Sequence, residues 1–152
     1  MSDALTKPEL PAMGFVADLE AEERRLLSSY GEFLPVQPGQ TIIREGDPQD
    51  ALFLVISGLL HATQDKSGHH QLLGAINAGK SVGEVTIFDP GPASATVEAR
   101  EFSQVWKCNR QDLEDFMNAE PLSAAKMLVG IATVLSRRLR SSNEKLAANA
   151  GV

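Results

Sequence analysis

The chain has little sulfur, few aromatic rings and a deficit of positive charge. Its 152 residues include one cysteine, one tryptophan and one tyrosine. A lone cysteine, Cys108, cannot close an internal disulfide, which excludes a cross-linked secreted scaffold and fits a reducing compartment. No apolar run approaches the ~20 residues needed to span a bilayer. The first residues carry neither a basic n-region nor an apolar h-region, so neither a membrane span nor a signal peptide is expected and a cytoplasmic location is. Fourteen Lys and Arg against twenty Asp and Glu leave a formal net charge of −6, which disfavours a polyanion binder because nucleic-acid affinity rests on neutralised phosphates. The cluster Arg137, Arg138, Arg140 and Lys145 reads as a solvated helix face. No nucleophile elbow, P-loop or paired-carboxylate motif is present, so no catalytic residue is expected. His61, His69 and His70 lack carboxylates or thiols at ligand spacing, so no metal site is expected either.

What is present is a single domain's worth of short strands between helices. Residues 1–14, with Pro8, Pro11 and Gly14, read as a flexible arm, residues 15–146 as the domain, and 147–152 as a tail. A helix is expected from about Leu19 to Tyr30, with Leu19, Leu26 and Leu27 on one face. Short β segments follow, separated by turns such as Pro38-Gly39 and Asp65-Lys66-Ser67-Gly68. The run Ala51 to Ser57 is apolar throughout, as a strand buried on both faces would be. Cys108 falls in an alternating strand segment and reads as a packed, inert thiol. Asn109 is suited to cap a helix, and Pro121 to open a longer one reaching about Leu146. The spacing indicates an all-β core with flanking helices.

Three motifs sharpen this reading. Pro38-Gly39-Gln40 precedes Ile42-Ile43-Arg44-Glu45-Gly46-Asp47; Leu52 to Gly58 forms a strand ended by glycine; and Val82-Gly83-Glu84 opens a short apolar helix before a Pro/Gly loop. In this order and spacing they resemble the cyclic-nucleotide-binding superfamily of catabolite activators and protein-kinase-A regulatory subunits, over about Phe15 to Lys145. The resemblance implies an antiparallel β-roll, a jelly-roll-like double-stranded β-helix, with an N-terminal helix and C-terminal helices. It also implies a phosphate-binding cassette in which Glu84 accepts from a ribose hydroxyl and an arginine nine residues on clamps the cyclic phosphate. Here that position is Ala93, or Ser94 if the loop is counted one residue longer.

The residues argue the same point independently. Gly83 permits close approach, the start of the helix offers free amide N–H groups, and Glu84 is an acceptor suited to a sugar hydroxyl. A buried phosphate nevertheless requires a cation. Lys80 in a polar turn and Arg100 farther along the next strand do not supply one. The candidate pocket is therefore Gly83, Glu84, Val85, Ala93, Ser94 and Ala95, with weak cAMP or cGMP binding as the only ligand expectation.

Leu128, Ile131, Leu135 and Leu139 recur at helical spacing in the final helix. The family's transcription factors dimerise through this helix, so the resemblance implies a homodimer with these four residues at its seam and Gly130 allowing close approach. Only six residues follow Leu146, so no DNA-reading module is expected. The leading expectation is a non-enzymatic signalling module acting through protein contacts, its nucleotide site weakened or lost. The alternative is a genuine nucleotide sensor using Glu84, Ser94 and the cassette amides.

Overall fold

The computed structural model describes residues 8–149. A 3-10 turn, Gly14–Val16, leads into helix α1, Ala21–Ser28. Eight strands follow: β1 Glu32–Val36, β2 Thr41–Ile43, β3 Ala51–Ser57, β4 Leu59–Lys66, β5 His69–Asn77, β6 Ser81–Val82, β7 Thr96–Ala99 and β8 Ser103–Asn109. A short helix, α2 Glu84–Phe88, interrupts the series between β6 and β7, and helices α3 Arg110–Ala119 and α4 Pro121–Asn149 complete the described residues.

The strands form two four-stranded antiparallel sheets, ordered β1-β8-β3-β6 and β2-β7-β4-β5. This is the expected mainly-β roll with flanking helices. β3 explains its own unbroken apolar run, because side chains alternate across a strand. Leu52 and Leu54 enter a core shared with the helices, while Ala51, Phe53 and Val55 enter the core between the sheets. Trp106 of β8, paired with Leu54 and Phe33, is fully buried and donates its indole N–H to the Ser28 carbonyl at 3.2 Å.

Local chemistry sets the helix ends. Glu23 accepts from the Glu20 backbone N–H at 2.8 Å at the start of α1. Asn109 Oδ1 accepts from the Asp112 N–H at 2.9 Å, the capping role expected of it, and Pro121 is the first residue of α4. Such caps satisfy amide groups that helix starts leave unpaired.

Three expectations change. The segment before the domain is not a loose arm where it is described: Leu10 is fully buried in the helical core, and Arg24 Nε and Ser28 Oγ each donate at 2.8 Å to the Leu10 and Pro8 carbonyls. Residues 1–7 lie outside the described residues. The last helix continues to Asn149, past the expected tail boundary, and 150–152 lie outside the described residues. Gly130 serves the fold of its own chain: a Cβ there would collide with the Phe15 carbonyl oxygen, so the glycine lets α4 seat against the N-terminal 3-10 turn.

Candidate functional site

β6 pairs with β3 through Phe53–Val82 and Leu54–Ser81, which delivers Gly83 and Glu84 to the end of the first sheet. Gly83 turns with φ 90°, and a Cβ there would strike the Ala51 carbonyl oxygen, so only glycine suits the junction. At the far end of α2, Arg110 donates from Nε to the Ile87 carbonyl at 3.0 Å and from its guanidinium to the Thr86 carbonyl. These carbonyls are ones a helix end leaves free. The returning loop is pinned to the turn after β2: Gly46 N–H donates to the Ala93 carbonyl and Ala93 N–H to the Asp47 carbonyl, both at 2.9 Å.

Between α2, this loop and the second sheet lies a cavity of about 440 Å³. Gly83, Glu84, Val85, Ala93, Ser94 and Ala95, the six residues singled out from sequence, all line it, with Ile43, Ala62, Val82 and Val97 as apolar wall. Ala93 is buried, whereas Ser94 is exposed and its carbonyl accepts from Gln64 Nε2 at 2.9 Å.

Glu84 is only 3% exposed. Its Oε1 pairs with the guanidinium of Arg138 on α4, which also donates to the Ser81 carbonyl. The second oxygen, Oε2, is buried without a hydrogen-bond partner among the described residues. Arg138 is the only cation among the described residues lining the cavity. Lys80 is exposed and donates to the Ala75 carbonyl at 3.3 Å, and Arg100 is exposed; neither lines it.

Sequence reasoning missed Arg138, treating it as part of a solvated face. The signal was available in the helical period: Arg138 lies seven residues beyond Ile131 and three beyond Leu135, on the inward stripe of α4. A carboxylate expected to be buried at Glu84 also demands a cation somewhere in the fold.

The four residues expected at a dimer seam do not share one environment. Ile131 is buried in the domain's own core and Leu135 packs against that core half-buried, while Leu128 and Leu139 are exposed, Leu139 at 63%. The stripe drifts because successive apolar residues rotate around a straight helix. Cys108 is buried, and burial with the nearby Asp112 charge pushes its thiol up to about 12, far from the reactive thiolate range. His70 Nδ1 lies 2.9 Å from Asp65 Oδ1 on an exposed hairpin. Among the described residues no group of three or more His, Cys, Asp or Glu side chains is placed to hold a metal.

With this geometry in place, comparison with known proteins assigns the class. Residues 33–120 match the model of the cyclic nucleotide-binding domain, and the chain belongs to that family. The CRP-like cAMP-activated global transcriptional regulator of Mycobacterium tuberculosis is 31% identical over 110 residues, 72% of this chain and 47% of the regulator. The chain thus spans about half the length of that curated relative. A cyclic nucleotide-binding domain from Methylobacillus flagellatus superposes with a TM-score of 0.82 at 26% identity, covering 87% of this chain and 75% of that one. The catabolite activator protein of Thermus thermophilus superposes with a TM-score of 0.78 at 27% identity, covering 90% and 62%. No helix among the described residues is long and apolar enough to cross a membrane.

Proposed function

We propose that this chain is a non-enzymatic regulatory module of the cyclic-nucleotide-binding family whose site has lost most of its grip on a cyclic phosphate, and that it acts through protein contacts. One observation carries the reading: the only cation among the described residues that line the cavity, Arg138, is already bonded to Glu84. At the position where the resemblance expects a phosphate-clamping arginine stands Ala93. A charge-assisted bond of this kind is worth ~1.5–3 kcal/mol, or roughly 10- to 100-fold in affinity. The residues present do not fit a buried phosphate.

The second reading, a genuine nucleotide sensor, is favoured by the cavity itself, which is enclosed by the same segments and lined by Glu84 and Ser94. Titration calorimetry separates the two. Wild type should bind cAMP and cGMP with a Kd poorer than ~100 µM, and Ala93→Arg should tighten binding by about tenfold or more. Tight wild-type binding would overturn the weakened-site reading in favour of the sensor.

The partners proposed are a second copy, through the exposed Leu128 and Leu139 of α4, and a signalling protein recognised by the completed dimer. A cytoplasmic setting fits the unpaired Cys108, and no DNA contact is proposed for a chain of net charge −6.

A further inference from the structure

We propose that the open edge of β5 is an interaction surface for a second copy of this chain, the two copies pairing antiparallel across His69–Leu72. The inference goes beyond the reading of the cavity and does not depend on what the cavity binds. A sheet edge presents a row of unpaired N–H and C=O groups, and proteins that stay apart blunt it with brevity, charge or proline. Three of the four edges here are blunted in those ways. β6 has two residues and β2 three, and the β1 edge carries Glu32 and Pro35. β5 has nine residues, none of them Asp, Glu, Lys, Arg or Pro.

Within β5 the open stretch is short. Leu73 has no partner on β4, and Lys80 Nζ donates to the Ala75 carbonyl at 3.3 Å, so the half from the bulge onward is guarded. His69 to Leu72 are exposed, with β4 pairing them on one side only. Leu72, 56% exposed, and Leu73, 50% exposed, belong to neither core cluster. A second copy fits this edge. A two-fold axis makes the pairing antiparallel, like every ladder of the roll, and sets each free N–H against a C=O of the copy. With the axis between His70 and Gln71, Leu72 lies opposite His69 of the second copy, an aliphatic side chain against a ring. No like charges meet, because the strand carries no acidic or basic side chain other than histidine. So short a pairing buries less than the ~800 Å² per partner of a stable interface, which sets a weak contact with a Kd of about 1 mM.

Sedimentation velocity on the full chain from ~100 µM to ~1 mM tests this, with backbone amide NMR shifts locating the contact. The weight-average mass should rise about 1.3-fold over that range, with shifts at residues 69–73. Gln71→Lys or Leu72→Lys, each at an exposed position, sets a lysine of one copy close to that of the other across the axis and should leave the mass constant in a folded protein. Leu128→Glu with Leu139→Glu should keep the rise, starting from monomer and not exceeding twice its mass. That variant separates this edge from the α4 contact, and coincident wild-type and variant curves would remove the α4 contact alone. A wild-type mass constant to ~1 mM, a rise that survives both lysine substitutions, or species beyond a dimer in the α4 variant would each overturn the proposal. So would shifts at 69–73 produced by a synthetic Val/Thr strand peptide but not by raised chain concentration, which would put a partner's strand on this edge in place of a second copy.

Discussion

Glu23 joins α1 to α4 by accepting from Ser123 Oγ at 2.6 Å and from Lys126 Nζ at 2.9 Å, while also capping its own helix at Glu20. The Ser123 bond first, then the Glu20 N–H and Lys126, lower its pKa from the ordinary 4.5 to about 2. A depressed carboxylate stabilises the folded state fully above its unfolded value and loses that contribution as pH falls through its folded value. Stability from this contact should therefore drain away between about pH 4.5 and 2. Urea unfolding across that window should show a shallower acid loss for Glu23→Gln than for wild type; parallel curves would sink the assignment. Single residues were unevenly legible in the sequence. Asn109 and Pro121 announce helix starts by their own chemistry, and Glu84 was recognisable from its neighbours. Arg138 was read as solvated, because helical charges ordinarily are and its partner lies 54 residues away; only its place on the inward face of α4 marked it.

The strand elements were legible because side-chain alternation and turn residues are local signals. β3 disclosed its two buried faces through its unbroken apolar run, and the β4–β5 hairpin through Ser67-Gly68, where Ser67 adopts φ 54°. α4 was legible as a helix but not in how its faces divide, since which leucine meets the core depends on how α4 lies against the N-terminal turn. Its first half is bound by Ala124, Met127 and Ile131 in the core, and beyond Leu135 Arg138 is its tie to the cavity rim. Arg138→Ala should therefore speed amide hydrogen exchange from about 138 to 146 while leaving 121–131 protected. Uniform loss of protection along α4 would mean that the helix stands or falls as one unit. Unchanged exchange would mean that the ion pair holds nothing in place.

For the molecule as a whole, the resemblance in sequence and the observed roll agree because the order of strands, turns and helices is specified by local pattern along most of the chain. The use of the apolar stripe on α4 was less legible, since the same helical period that marks the core contact at Ile131 also marks the proposed seam at Leu128 and Leu139. The division of that stripe now makes the two roles separable. Leu128→Glu with Leu139→Glu places charge on exposed positions and should leave a folded monomer in light scattering at ~100 µM. Ile131→Glu buries an unpaired carboxylate and should unfold the domain instead. A wild type already monomeric under those conditions would remove the proposed self-association.

Leu10 and Ile131 sit in one buried cluster although they come from near opposite ends of the chain. During synthesis, then, every strand is made before the helical core can close, and the helix-facing side of β3 and β8, with Leu52, Leu54 and Trp106, waits uncovered for α4. The roll is prepared early and sealed late. Such an interval favours engagement by chaperones and self-association of the nascent chain. Ribosome-stalled chains ending near Ala119 should remain protease-sensitive and chaperone-bound, and those with α4 beyond the exit tunnel should become protected together. Protection appearing before α4 emerges would show that the sheets fold without their helical cover.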